Sequence, residues 1–158
     1  MIAKNPNSNY AVIPLIINNE SVVADTIFDV TSPATGEVID RCAGATVDDA
    51  NRAVAAAKAA FPGWSSMKPY DRRDILMKAA DIMVSRKEEL IRYQMEETNA
   101  GRSFVEKTFK MGVTFLKDFA ARIPSIEGVV PSVSEDGECA MVIKQPYGVV
   151  LGIAPWYL

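Results

Sequence analysis

The run Val149-Val150-Leu151-Gly152-Ile153-Ala154 is apolar or glycine at every position. A strand with one wet face alternates. A strand covered on both faces does not, and such strands belong to parallel sheets flanked by helices. A parallel strand also needs neighbours reached through a crossover, usually a helix. The sequence gives only Pro155-Trp156-Tyr157-Leu158 after this run. The expectation is therefore an α/β chain interrupted at the first strand of a larger domain.

Upstream, the pattern divides into hairpins and helices. Residues 1–14, with their Asn, Pro and Ser, read as a loose arm. Leu15–Ile17, Asn18-Asn19 and Ser21–Ala24 read as a short hairpin. Thr26–Val30 and Val38–Cys42 read as a strand pair joined at Ser32-Pro33-Ala34-Thr35-Gly36, where Pro33 fixes one dihedral and Gly36 can take positive φ.

Three capping patterns precede three periodic runs. Thr46 with Asp49 opens a helix whose stripe is Val47, Ala50, Val54, Ala57 and Phe61, with Pro62-Gly63 expected to end it and Trp64 to pack on the stripe. Asp71 is the expected N-cap of a second helix burying Ile75, Leu76, Ala79, Ala80 and Met83. Ser85 with Glu88 either lies within that helix or starts another, carrying Leu90, Ile91 and Met95 to a stop at Asn99-Ala100-Gly101. Ser103 with Glu106 is expected to cap a long helix with the stripe Phe104, Thr108, Met111, Phe115, Phe119 and Ile123, ending at Pro124. Ile126–Val133 and Cys139–Lys144, joined across Asp136-Gly137, then read as an antiparallel hairpin.

Composition removes several function classes. The chain has 158 residues, a hydrophobic fraction of 49% and a charged fraction of 23%, as expected for a globular protein. Its net charge is −3 and its pI near 5.0, without the basic footprint that nucleic-acid binding needs. Histidine is absent, which removes the commonest general base and metal ligand. Cys42 and Cys139 form no CxxC pair, and each reads as a small buried apolar residue rather than a nucleophile. Glu96-Glu97 and Glu135-Asp136 read as a solvated helix face and a turn. No run approaches a membrane span or a signal peptide, so a cytoplasmic location without membrane contact is expected.

Taken in order, these segments resemble the aldehyde dehydrogenase superfamily. Ser32-Pro33-Ala34-Thr35-Gly36-Glu37 is similar to the family's Asn-Pro-Ala-Thr-Gly-Glu turn. The Ala-rich helix to Phe61 and Trp64 is similar to the first family helix, and Arg72-Arg73 through Leu90 to the second. Gln145-Pro146-Tyr147-Gly148-Val149-Val150-Leu151-Gly152-Ile153-Ala154-Pro155-Trp156 resembles the strand that opens the cofactor domain, in a form most like the branch acting on salicylaldehyde, vanillin or benzaldehyde.

The resemblance implies an α/β fold: the N-terminal part of an aldehyde dehydrogenase, with β-hairpins and three to four helices, reaching only the first strand of the Rossmann-like cofactor domain. The implied division is 15–124 for the hairpins and helices, 125–147 for a hairpin of oligomerisation type, and 148–158 for that strand. It implies NAD or NADP as cofactor, an aldehyde as substrate and a homo-oligomer or self-associating chain. Ile153, Ala154, Pro155 and Trp156 are implied to line the dinucleotide cleft. The family's cysteine nucleophile and glutamate base match no residue here, so the chain by itself is expected to be inactive. Tyr157 stands where the family carries the Asn that helps hold the oxyanion. The alternative is a non-catalytic α/β association module that uses the hairpin around Val129–Ile143.

Overall fold

A computed structural model describes residues 12–154. Two small sheets precede four helices. In the first sheet, β1 (Val12–Ile13) pairs in parallel with β5 (Val38–Ala43), which pairs antiparallel with β4 (Ile27–Thr31). The second is the hairpin of β2 (Leu15–Ile17) and β3 (Glu20–Val22). Asn18 and Asn19 join its strands with φ of 53° and 62°. Positive φ at both central residues gives the turn a twist that matches the strands. Gly36, at φ 74°, does the equivalent work between β4 and β5.

The expected loose arm is corrected at its end. Val12 is only 2% exposed and forms an apolar cluster with Ala24 and Ala43. Pro14, which lacks an N–H for a ladder, separates β1 from β2. Asp29 and Arg41 sit opposite each other on β4 and β5, with Arg41 Nε 2.8 Å from Asp29 Oδ1. This is a close ion pair rather than an aligned hydrogen bond, for that Nε is buried without hydrogen-bond geometry.

Helix α1 spans Val47–Ser66, four residues longer at its end than Pro62-Gly63 suggested. Pro62 is accommodated inside it, without the N–H that would bond back one turn. The physical stop lies further on. Lys68 precedes Pro69, and a residue before proline is pushed out of the α region; Met67 and Lys68 accordingly have ψ of 143°. Pro69 then supplies a preset φ at the first position of α2 (Pro69–Ser85). Asp71 therefore lies in the first turn rather than at the cap.

Of the three expected capping boxes, only Thr46–Asp49 forms. Ser85 donates instead to the Ile82 carbonyl, and α2 breaks from α3 (Lys87–Thr98) at Arg86, with φ −103° and ψ 17°. Two helices therefore meet there. Asn99, left-handed at φ 54°, ends α3 as expected. Helix α4 (Arg102–Arg122) starts from Gly101 without a side-chain cap, and a short 3₁₀ turn at Ile123–Ser125 holds Pro124.

Helix α4 packs chiefly on α2 and then on α3. Ala80, Ile91, Val105, Val113 and Ala120 are buried there. The expected α4 stripe is corrected: Phe104, Met111, Phe115 and Phe119 are exposed. The helix is apolar on two sides roughly 120° apart at about 100° per residue, and α2 and α3 take the Val105–Val113–Ala120 side. The α1 stripe is open as well, with Val47 and Val54 exposed, because α1 touches the rest mainly through β2.

Candidate functional site

The segment after α4 carries the residues implied for cofactor binding. Its expected hairpin is reduced to one bridge. Val129 N–H donates to the Val142 carbonyl at 3.1 Å, and Val142 N–H returns to the Val129 carbonyl at 2.8 Å. Gly128 permits this approach, since a Cβ there would collide with the Val142 carbonyl oxygen. Gly137 turns the chain at φ 85°. Val130, Met141 and Ile143 remain exposed, so no sheet face rewards a longer ladder.

The expected strand Val149–Ala154 is also corrected. The residues form no strand and pair with nothing among the described residues. Leu151 is 84% and Ile153 82% exposed. The physical reason is the one the sequence raised: a two-faced strand forms only between neighbours. Ile153 and Ala154 thus stand in the open, while Pro155, Trp156 and Tyr157 lie outside the described residues. A dinucleotide needs a facing wall and helix N–H groups around its pyrophosphate. Among the described residues no helix follows this run. The described residues by themselves supply at most one side of such a site.

The cysteines are not brought into a site. Cys42 lies within β5, and burial first, then the carboxylates of Asp40 and Glu97, push its thiol above the usual range. That is the opposite of what a nucleophile needs. Cys139 is exposed in the 126–144 segment. Glu96 pairs with Arg92 on the α3 surface, in keeping with a solvated face. Among the described residues no group of three His, Cys, Asp or Glu is placed to hold a metal ion, and no helix is long and apolar enough to cross a membrane.

One concavity escaped the sequence reading. The corner between α1 and α2 faces the chain segment that precedes the apolar run. Arg72 Nη1 reaches back from α2 to the carbonyls of Ser65 at 3.3 Å and Trp64 at 3.5 Å, and to that of Met67. It satisfies the last carbonyls of α1 and locks the corner. Over this corner lie Lys144 and Gln145, enclosing about 400 Å³ with Phe61, Trp64 and Ile126. The signal was present in Pro69 and Arg72, but their effect depends on α1 running through Pro62.

Comparison with known proteins follows the same segments. The model of the aldehyde dehydrogenase family matches residues 19–158. Vanillin dehydrogenase of Pseudomonas sp. (strain HR199 / DSM 7063) is 41% identical over 147 residues, covering 91% of this chain and 30% of that protein. A salicylaldehyde dehydrogenase from Pseudomonas putida G7, solved with salicylaldehyde, superposes with a TM-score of 0.80 at 28% identity, over 85% of this chain and 28% of that one. An NAD-dependent aldehyde dehydrogenase from Sinorhizobium meliloti gives 0.78 at 25% identity, over 90% of this chain and 30% of its own. The chain spans about 30% of the length of the curated relatives it matches.

Proposed function

The chain belongs to the aldehyde dehydrogenase family, and on that premise we propose that it serves in the NAD(P)-dependent oxidation of an aromatic aldehyde to its carboxylic acid. Aldehyde, water and oxidised nicotinamide are consumed; the carboxylic acid, reduced nicotinamide and one proton are released. The observation that carries this reading is the 41% identity to a vanillin dehydrogenase across 91% of the chain. The cofactor supplies the hydride acceptor. Ile153, Ala154, Pro155 and Trp156 are proposed as one wall of its cleft, with the nucleophile, the base and the facing wall contributed by polypeptide matching the rest of the relatives' length.

The exposed apolar segment around Val129–Ile143 favours a second role in the same protein, association with another copy; Val130, Met141 and Ile143 supply its apolar surface. The proposed location is the cytoplasm.

The test is a chimera in which this chain replaces the matching stretch of the vanillin dehydrogenase, assayed by nicotinamide absorbance with vanillin, salicylaldehyde and benzaldehyde. Turnover is expected in the chimera and not in the 158-residue chain alone. A folded chimera without turnover overturns the reading. So does turnover by the chain alone that disappears in Cys42→Ser or Cys139→Ser.

A further inference from the structure

We propose that the pocket at the α1–α2 corner is a binding site for a monocyclic aromatic carboxylate. Its wall chemistry is divided. Phe61, Trp64 and Ile126 offer apolar and aromatic surface, while Arg72 and Lys144 bring two cations and Gln145 an amide. Among the described residues no carboxylate lines it, although the chain as a whole carries −3. A neutral ring would leave the cationic side of the pocket unused, and a small hydrated anion would leave the aromatic surface wet. A ring carrying one carboxylate uses both. The volume of about 400 Å³ falls in the range of small-molecule sites.

The corner is also prepared. Arg72 is held by three carbonyls at the end of α1, so its planar fork is placed before a ligand arrives, which reduces the entropy lost on binding. Lys144 comes from a different part of the chain, beyond the Val129–Val142 bridge. The site therefore joins the helical corner to the segment that leads into the apolar run, and a ligand would tie the two together. Only the choice of an aromatic acid as probe rests on the proposed oxidation, whose product is of that class.

The experiment is an NMR titration of the ¹⁵N-labelled chain with sodium benzoate, benzyl alcohol and sodium acetate, following the indole N–H signals, with Trp64→Phe assigning the relevant one. Benzoate is expected to shift the Trp64 signal saturably in the millimolar range, roughly the affinity of a small open site. Benzyl alcohol and acetate are each expected to bind more weakly. Lys144→Glu should weaken benzoate by about threefold or more, on the scale of one screened charge, with an unchanged far-UV spectrum; Lys144→Arg should restore it. A linear, non-saturating response overturns the proposal, as does equal binding of benzyl alcohol or equal binding by Lys144→Glu. The chimera assay has no part in this readout. Benzoate binding beside an inactive chimera would sink the oxidation alone, and an active chimera without benzoate binding would sink this site alone.

Discussion

The Thr46 hydroxyl lies 2.8 Å from Asp49 Oδ2, and each residue also receives or returns a backbone hydrogen bond across the first turn of α1. Two donors left over by helix geometry are thereby satisfied reciprocally. Thr46→Ala is expected to cost about 1 kcal/mol, read as a fall in Tm of about 2–4 °C.

The same contact sets a pH dependence. Hydrogen bonds from Thr46 backbone and side chain, with Arg52 adding its charge, hold the Asp49 carboxyl below the usual range. A lowered folded-state pKa means that the unfolded chain takes up the proton first. The contribution is therefore complete above the unfolded value, near 3.9, and is lost as pH falls through the folded one. Thermal melts from pH 7 down to about 2.5 should show wild type and Asp49→Asn converging at the acid end. Parallel curves across the whole range would refute this assignment.

How far the sequence carried is seen in the helices. The Thr46 cap was legible because it is a four-residue event, with both partners on one turn. Ser85 and Ser103 present the same spacing to a glutamate, yet neither caps: Ser85 bonds back to Ile82, and α4 begins at Gly101. There, the connection between consecutive helices decides where the first turn falls, and this depends on packing. Asn99 was legible since asparagine tolerates the left-handed region. The end of α1 was misplaced because Pro62 alone suggested a stop, whereas Pro69, through Lys68, provides the actual one. The α1–α2 pocket was invisible for the same reason, and Arg72 has its partners only when α1 runs past Pro62 to Ser66.

Periodicity likewise showed that α4 is amphipathic without showing which apolar side is covered. Ile91 and Val105 are fully buried between α3, α4 and their neighbours, while Phe115 is 51% exposed. Ile91→Ala should cost about 2–5 kcal/mol, and Phe115→Ala less than about 1 kcal/mol, including the loss of its tilted contact with Phe119 at 6.2 Å. Urea denaturation of the two variants checks the ranking. The reverse order would mean that the Phe115 face is the one packed.

Cysteine chemistry separates the two thiols. Cys42 is partly buried with its thiol pushed up by burial and by Asp40 and Glu97, whereas Cys139 is exposed. Thiolate is the reactive form. Iodoacetamide at pH 8 should therefore modify Cys139 well before Cys42, as read by peptide mass mapping over time. Faster labelling of Cys42 would restore it as a candidate nucleophile.

The last prediction concerns residues 148–154. Val150, Leu151 and Ile153 are each about three-quarters exposed or more, on backbone that joins no sheet among the described residues. Such an edge pairs with whatever strand is available, and contiguous apolar surface of this kind drives association. Helices α2–α4 pack on one another and do not draw on this run. The 158-residue chain is therefore expected to elute from size-exclusion chromatography in a concentration-dependent way, above the monomer position. Removing residues from Gly148 onward, or introducing Leu151→Lys with Ile153→Lys, should return it to monomer with the far-UV helical signal almost unchanged. Lysine keeps the chain length but opposes edge pairing by charge repulsion, so the double substitution separates strand pairing from a general effect of shortening. A sharp monomer at every concentration before any change would show that the run has found cover within the chain itself.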